Sequence, residues 1–254
     1  MLKFASDNDL NAILKFCDKN LLGTRIACYC LAYGFECDFL KIWFDDSKGK
    51  VDTVIAKFYD SITLVTCAED VEEISDFIRM IGFSSLETYL STSQKLSLNA
   101  DDIKKSYVFS GSFSAGDAEN LGEEFYKDLY NLVSENIPGS FSSDNDSYFA
   151  FLSDFTFRKR RNLARCKGII TEGKLVSSVI TSAETPTSAI ISAVVCDKNI
   201  RGKGLGKRTV SSMVHELIDE NKSVFVVALN ESAQGFYEHL GFAYYDSIVI
   251  VNDI

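Results

Sequence analysis

The feature that most limits what this chain can fold into lies between residues 189 and 218. An apolar, β-prone run at 189–195 leads into Cys196-Asp197-Lys198-Asn199-Ile200-Arg201-Gly202-Lys203-Gly204-Leu205-Gly206-Lys207. Beyond it, Val210, Met213, Val214, Leu217 and Ile218 recur at helical spacing. Strand, glycine loop and helix in that order belong to a layered α/β architecture. The arrangement turns backbone N–H groups and the positive end of the helix dipole toward a compact anion such as phosphate. Glycines allow positive φ and close approach of the backbone to a ligand, and Arg201, Lys203 and Lys207 add charge.

Spacing rules out two common nucleotide loops. A Walker loop ends in Gly-Lys-Ser/Thr, whereas Lys207 is followed by Arg208, and Arg201 stands where the first glycine belongs. A Rossmann loop has its third glycine three positions after the second, and here that position is Lys207. What remains is Arg-x-x-Gly-x-Gly. The charge distribution fits a local anion site: residues 158–208 hold twelve basic side chains against three acidic ones, inside a chain of net charge −10. That overall acidity makes nucleic acid and anionic membranes poor partners. It also speaks against an RNA-binding role for the cations at 158–167.

The chain has no apolar run long enough to span a membrane, and its N-terminus lacks a signal-peptide pattern. Its seven cysteines are odd in number and irregularly spaced, which points to reduced thiols and a cytoplasmic location. Cys17, Cys28, Cys30 and Cys37 follow no common zinc spacing, so no metal site is expected.

Residues 1–90 read as a mixed α/β unit. Leu10, Ile13, Leu14 and Cys17 mark a helix capped by Asp7 or Asp9, and a second helix is expected over 24–35, with Gly34 near its end. Short β runs at 39–44, 51–58 and 61–66 suggest an antiparallel meander. A helix from Asp70 to Met80 stops at Gly82. The Ser/Thr/Asn/Asp-rich stretch 91–105 reads as a boundary, dividing the chain into 1–95 and 106–254. In the second part a strand is expected at 107–109, helices over 119–135 and 147–161, and strands at 164–171, 175–183 and 189–195. Glu172-Gly173-Lys174 marks a hairpin turn. Both halves then share an order of helix, helix and antiparallel strands.

A second motif completes the pattern. The apolar run 223–229 leads into Asn230-Glu231-Ser232-Ala233-Gln234-Gly235-Phe236-Tyr237-Glu238-His239-Leu240-Gly241-Phe242. Arg201-x-x-Gly204-x-Gly206, followed one helix and one strand later by Asn230, Ala233, Tyr237 and Gly241-Phe242, resembles the GNAT superfamily of N-acetyltransferases. The resemblance covers residues 106–254. It implies a mixed, mostly antiparallel central sheet flanked by helices, preceded here by a smaller α/β domain that resembles a degenerate copy.

The resemblance implies acetyl-CoA as cosubstrate and direct attack by an amine of a small molecule or peptide, without a covalent enzyme intermediate. Backbone N–H groups of Gly202, Lys203, Gly204, Leu205, Gly206 and Lys207 would hold the pyrophosphate beside Arg201. Backbone at Val194, Val195 and Cys196 would meet the thioester oxygen. Asn230 would bond the pantetheine arm near Ala233, and Tyr237 would protonate the leaving thiolate. Plainer roles stand beside these: Asn230 is also a good helix N-cap, Tyr237 can simply pack its ring, and Cys196 without a histidine partner reads as a buried thiol. The strand at 189–195 carries no carboxylate for a general base, leaving Glu184, Glu172 or a water chain. The cations at 158–161 could reach the 3′-phosphate of CoA. A binding module that holds acyl-CoA without turnover is the alternative function. For the N-terminal part, lining the acceptor cleft and self-association into a homodimer are both open.

Overall fold

The computed structural model describes residues 1–112, 115–142 and 144–252. In the first half, β1 (Lys3–Phe4) is followed by α1 (Leu10–Cys17), α2 (Leu21–Tyr33), β2 (Leu40–Asp45), β3 (Thr53–Phe58) and β4 (Ser61–Thr66). Then come α3 (Glu72–Ile81), β5 (Ser85–Tyr89) and α4 (Leu90–Lys95). The helix boundaries follow local capping chemistry. Asn20 accepts from Gly23 N at 2.7 Å, so α2 starts three residues before the expected Thr24, and it stops at Gly34, whose φ is +69°. Asp70 accepts from Glu72 N at 3.1 Å ahead of α3, and Gly82 at φ +60° ends that helix.

The second half continues with β6 (Asp102–Phe109), β7 (Glu119–Asn120), α5 (Tyr126–Asn136), α6 (Asn145–Lys159), β8 (Cys166–Thr171) and β9 (Lys174–Glu184). It ends with β10 (Ser188–Cys196), α7 (Leu205–Asp219), β11 (Ser223–Ala228), α8 (Glu231–His239) and β12 (Phe242–Asn252). Glu172 (φ +52°) and Gly173 (φ +77°) join β8 to β9, the two positive φ values that a twisted two-residue hairpin turn needs. The helix expected over 119–135 is shorter than its apolar spacing suggested. Its first residues instead pair with β8, Glu119 opposite Gly168 and Asn120 opposite Lys167, and a single 3-10 turn at Glu123–Phe125 precedes α5. The stretch 91–105 carries α4 and the start of β6, although its composition is that of a loop.

The same order of elements occurs twice. Each half has a helix pair, three antiparallel strands (β2-β3-β4 and β8-β9-β10), a crossover helix, and a strand parallel to the last of the three (β4 with β5, β10 with β11). A crossover helix is what permits a parallel pair in an otherwise antiparallel sheet.

The chain packs into two compact units. One comprises Met1–Val108, Val227–Tyr237 and the chain from Tyr244 on; the other comprises Phe109–Val226 and Glu238–Ala243. Within the first, strand order is β1-β2-β3-β4-β5-β12-β6, and Ile74 and Ile78 of α3 pack on Ile55, Ile62, Leu64, Leu86 and Val249. Within the second, the order is β11-β10-β9-β8-β7. Neighbouring residues of a strand face opposite sides. Leu175 accordingly packs with Leu129, Leu132 and Phe155 of α5 and α6, and Val176 packs with Leu205 of α7.

Candidate active site

The site is built on β10. Its parallel register with β11 runs from Ser188 opposite Ser223 to Ile191 opposite Val226, and β10 continues past these pairs to Cys196. Along its other edge Ser192 faces Ile180 while Val195 faces Ser178, so two residues of β10 stand against one of β9. This is a β-bulge, and Ala193 takes φ +47° within it. Asp197 N donates to Val176 O at 2.9 Å, and Val195 O also faces β9, where it accepts from Ser177 Oγ at 2.9 Å. By strand alternation the intervening amide of Cys196 faces the opposite side. Val194 and Cys196 are half-buried and Val195 is buried.

The loop after β10 is shaped by Asp197, whose carboxylate accepts from Asn199 N at 3.0 Å and Asn199 Nδ2 at 2.9 Å and pairs with Lys174 Nζ at 2.8 Å. The hydrogen bond from Lys174, with those from Asn199, holds this carboxyl below its usual range. Arg201 folds back and donates through Nε to Cys196 O at 3.2 Å. Gly202 (φ +81°) and Gly204 (φ +75°) then turn the chain into α7. A Cβ at either glycine would meet no protein atom within 4 Å, so the face before the helix is open. Gly204 is the N-cap and offers no side chain. Arg208 N is the first amide in the helical ladder, donating to Gly204 O at 3.1 Å. The amides of Leu205, Gly206 and Lys207 precede it with no side-chain cap, the situation in which a helix N-terminus takes an anion. Lys203 and Lys207 are exposed.

Asn230, Ala233 and Tyr237 lie in the other unit. Asn230 Oδ1 accepts from Ala233 N at 2.9 Å, so the capping role is realised and the side-chain amide keeps its NH2 for another partner. Tyr237 is buried on α8, and burial raises its phenol pKa.

Residues 167–251 match the family model described as FR47-like protein. None of the curated proteins matches the sequence. Among solved structures, an acetyltransferase of the GNAT family from Colwellia psychrerythraea aligns over 100% of both chains with 12% identity and a TM-score of 0.63. A tandem GNAT protein from the clavulanic acid biosynthesis pathway aligns over 98% of this chain and 97% of its own, with 13% identity and a TM-score of 0.63. A GCN5-related N-acetyltransferase from Sphaerobacter thermophilus covers 100% of this chain and 95% of its own, at 12% identity and a TM-score of 0.63. The chain has the GNAT fold.

Within this GNAT fold several candidate residues have structural duties. Burial pushes the Cys196 thiol pKa up, against the opposing effect of Arg201, so it is no ready nucleophile. Glu184 is fully buried and accepts from Lys222 Nζ at 2.6 Å and Arg165 Nε at 3.0 Å, which engages it as a counter-ion and not as a free base. Glu172 is exposed at the β8–β9 turn. In the basic run, Arg158 is buried and donates to Asp154 Oδ2 at 3.0 Å and Ser182 O at 2.9 Å, while Lys159 donates to Leu121 O at 2.9 Å. Those two cations clasp α6 to its neighbours.

Sequence reasoning missed three buried hydroxyls behind the bulge, Ser177, Ser178 and Thr209. It also missed the pairing of Arg208 with Asp117 on the segment before β7. Two serines in a β run and a threonine in a helix carry no signal of their own, and Asp117 is far from Arg208 in sequence.

Proposed function

We propose that this protein is an acetyl-CoA-dependent N-acetyltransferase that moves an acetyl group to a primary amine of a small molecule or peptide. The GNAT-like fold supports acyl-CoA-dependent acyl transfer in general. The single observation that carries the reading is the uncapped N-terminus of α7 behind Gly204, with the bulge of β10 at the head of the same loop. A diphosphate fits there: the glycines leave the approach open, and Arg201, Lys203 and Lys207 supply positive charge. The coenzyme would supply an activated thioester carbon for direct attack by the amine. Backbone N–H groups from Gly202 to Lys207 bind and orient; amides at Val194 to Cys196 stabilise the developing oxyanion, each such donor contributing about 3–4 kcal/mol. The Asn230 amide orients the pantetheine arm near Ala233, and the Tyr237 phenol donates to the departing sulfur.

The same reading assigns residues 106–254 to the transferase domain and 1–95 to a GNAT-like domain without a coenzyme site. From the end of β4 into the first turn of α3 the chain reads Cys67-Ala68-Glu69-Asp70-Val71-Glu72-Glu73, with acids where its counterpart has glycines and cations. Phosphate is repelled there. Thr88 Oγ1 also donates to Leu64 O at 3.0 Å, tying β5 to β4 where the coenzyme-binding half has its opening.

The test is thermal unfolding with acetyl-CoA, CoA and ATP side by side. Ligand at about 100 times its Kd stabilises by roughly 2.7 kcal/mol. Stabilisation by both coenzyme forms but not by ATP supports the reading, and no response to acetyl-CoA overturns it.

A further inference from the structure

A bulge leaves backbone groups outside the regular ladder, and side chains can tie them down. In β10 the paired Val195 and the bulged Ala193 both receive side-chain hydrogen bonds from consecutive serines of β9. Ser177 Oγ donates to Val195 O at 2.9 Å, and Ser178 Oγ bonds Ala193 O at 3.4 Å. Ser177 has one hydroxyl proton, which goes to Val195 O, so its oxygen is free to accept from Thr209 Oγ1 at 2.8 Å. Ser177, Ser178 and Thr209 are each fully buried. Thr209 stands one turn into α7, and its single hydroxyl proton is shared between Ser177 Oγ and Leu205 O, the latter 2.9 Å away on the first residue of the helix. A continuous buried chain of hydroxyls therefore runs from the first turn of the anion-facing helix, through β9, to the carbonyl between Val195 and Cys196. That carbonyl shares a peptide plane with the Cys196 N–H, so fixing one aims the other.

We infer that Ser177, backed by Thr209, and Ser178 are positioning residues that set the direction of the β10 amides at the bulge and lock it to the N-terminus of α7. This inference rests on the acyl-CoA reading above. The hydroxyls touch no ligand; they act through the peptide planes on either side of the bulge. A buried hydroxyl chain holds these planes more tightly than apolar packing would, because hydrogen bonds are directional and are strengthened away from water. The chain also explains why an alanine stays at positive φ in the bulge, since the surrounding bonds over-determine the backbone there.

The experiment compares wild type, Ser177→Ala, Ser178→Ala, Thr209→Val and Thr209→Ser, each bound to acetyl-CoA carrying 13C at the thioester carbonyl. Affinities for CoA and acetyl-CoA are measured in parallel by calorimetry. In the wild type a hydrogen bond to the thioester oxygen moves the 13C resonance downfield of free acetyl-CoA. Ser177→Ala and Thr209→Val are expected to lose most of that displacement while CoA affinity stays within about twofold, a change of under 0.5 kcal/mol. Ser178→Ala loses a smaller part, and Thr209→Ser, which keeps the hydroxyl, restores the wild-type signal. A full displacement retained in both Ser177→Ala and Thr209→Val overturns the positioning role and leaves the acyl-CoA reading intact. Equal loss of CoA and acetyl-CoA affinity in Thr209→Ser as in Thr209→Val overturns it too, because the chain would then be ordinary packing. A wild type that binds neither coenzyme form overturns the acyl-CoA reading itself.

Discussion

Gly204→Ala separates backbone strain from ligand binding at the start of α7. Gly204 has φ +75° and ψ +5°, a left-handed conformation that costs an L-residue roughly 1–2 kcal/mol. Alanine also restricts the unfolded chain, which returns about 0.4–1 kcal/mol where no other strain exists. Apart from its own chain neighbours, no protein atom lies within 4 Å of the added methyl, so the strain is confined to the local backbone. The net expectation is destabilisation of about 1 kcal/mol, read as a lower urea midpoint at unchanged slope. Binding responds more strongly. The methyl adds bulk at the N-cap residue that leads into the amides of Leu205 to Lys207, and weakening one or two charge-assisted hydrogen bonds there removes about 1.5–3 kcal/mol. CoA affinity by calorimetry then falls roughly 10- to 100-fold. Gly204→Asn supplies the control: asparagine accepts left-handed φ more readily, so it recovers stability while still crowding the amides. CoA affinity at the wild-type level in both variants, with the stability loss as expected, would refute the assignment of these amides to the pyrophosphate.

Tyr237→Phe is expected to abolish thiol release from acetyl-CoA across an amine panel while CoA affinity is kept. Residual turnover near wild type excludes the phenol as acid, and a wild type inactive on every amine favours a binding module. Calorimetric titration should give one CoA per chain, because the acidic loop before α3 repels phosphate; two equivalents would contradict that account. Glu220 is held down to about 2 by its hydrogen bond from Arg165, against a usual 4.5. A depressed carboxylate stabilises the fold above its unfolded pKa and loses that contribution as pH falls through the folded one. The urea midpoint should therefore fall between about pH 4.5 and 2, and Arg165→Met should flatten that slope. The same variant leaves the buried Glu184 with Lys222 as its remaining cation, so at neutral pH it should lower stability by about 3 kcal/mol, the low end for a broken buried pair. A midpoint unchanged at pH 7 would show that Lys222 suffices.

The sequence alone determined the second half in outline, because its signals are local. Glycines at 202 and 204 dictate positive φ, the stripe from Val210 to Ile218 dictates a helix, and Glu172-Gly173 dictates a hairpin. Each rests on neighbours within a few residues, and each element formed where expected. Local signals misled where a distant strand competed. Residues 119–120 carry helical spacing, yet the edge of β8 offered unpaired backbone groups and took them as β7. The Ser/Thr-rich stretch at 91–105 looked like a loop because polar alternation is faint, and β6 took its start from it. Only the tertiary structure decided which side chains support the site. Ser177, Thr209 and Val195 belong to three different elements, and Glu184 of β9 meets Arg165 just before β8 and Lys222 just before β11. Their partnerships arise when strands align in register and a helix packs across them, and hydrogen bonds between residues far apart in the chain leave no periodic trace in its order.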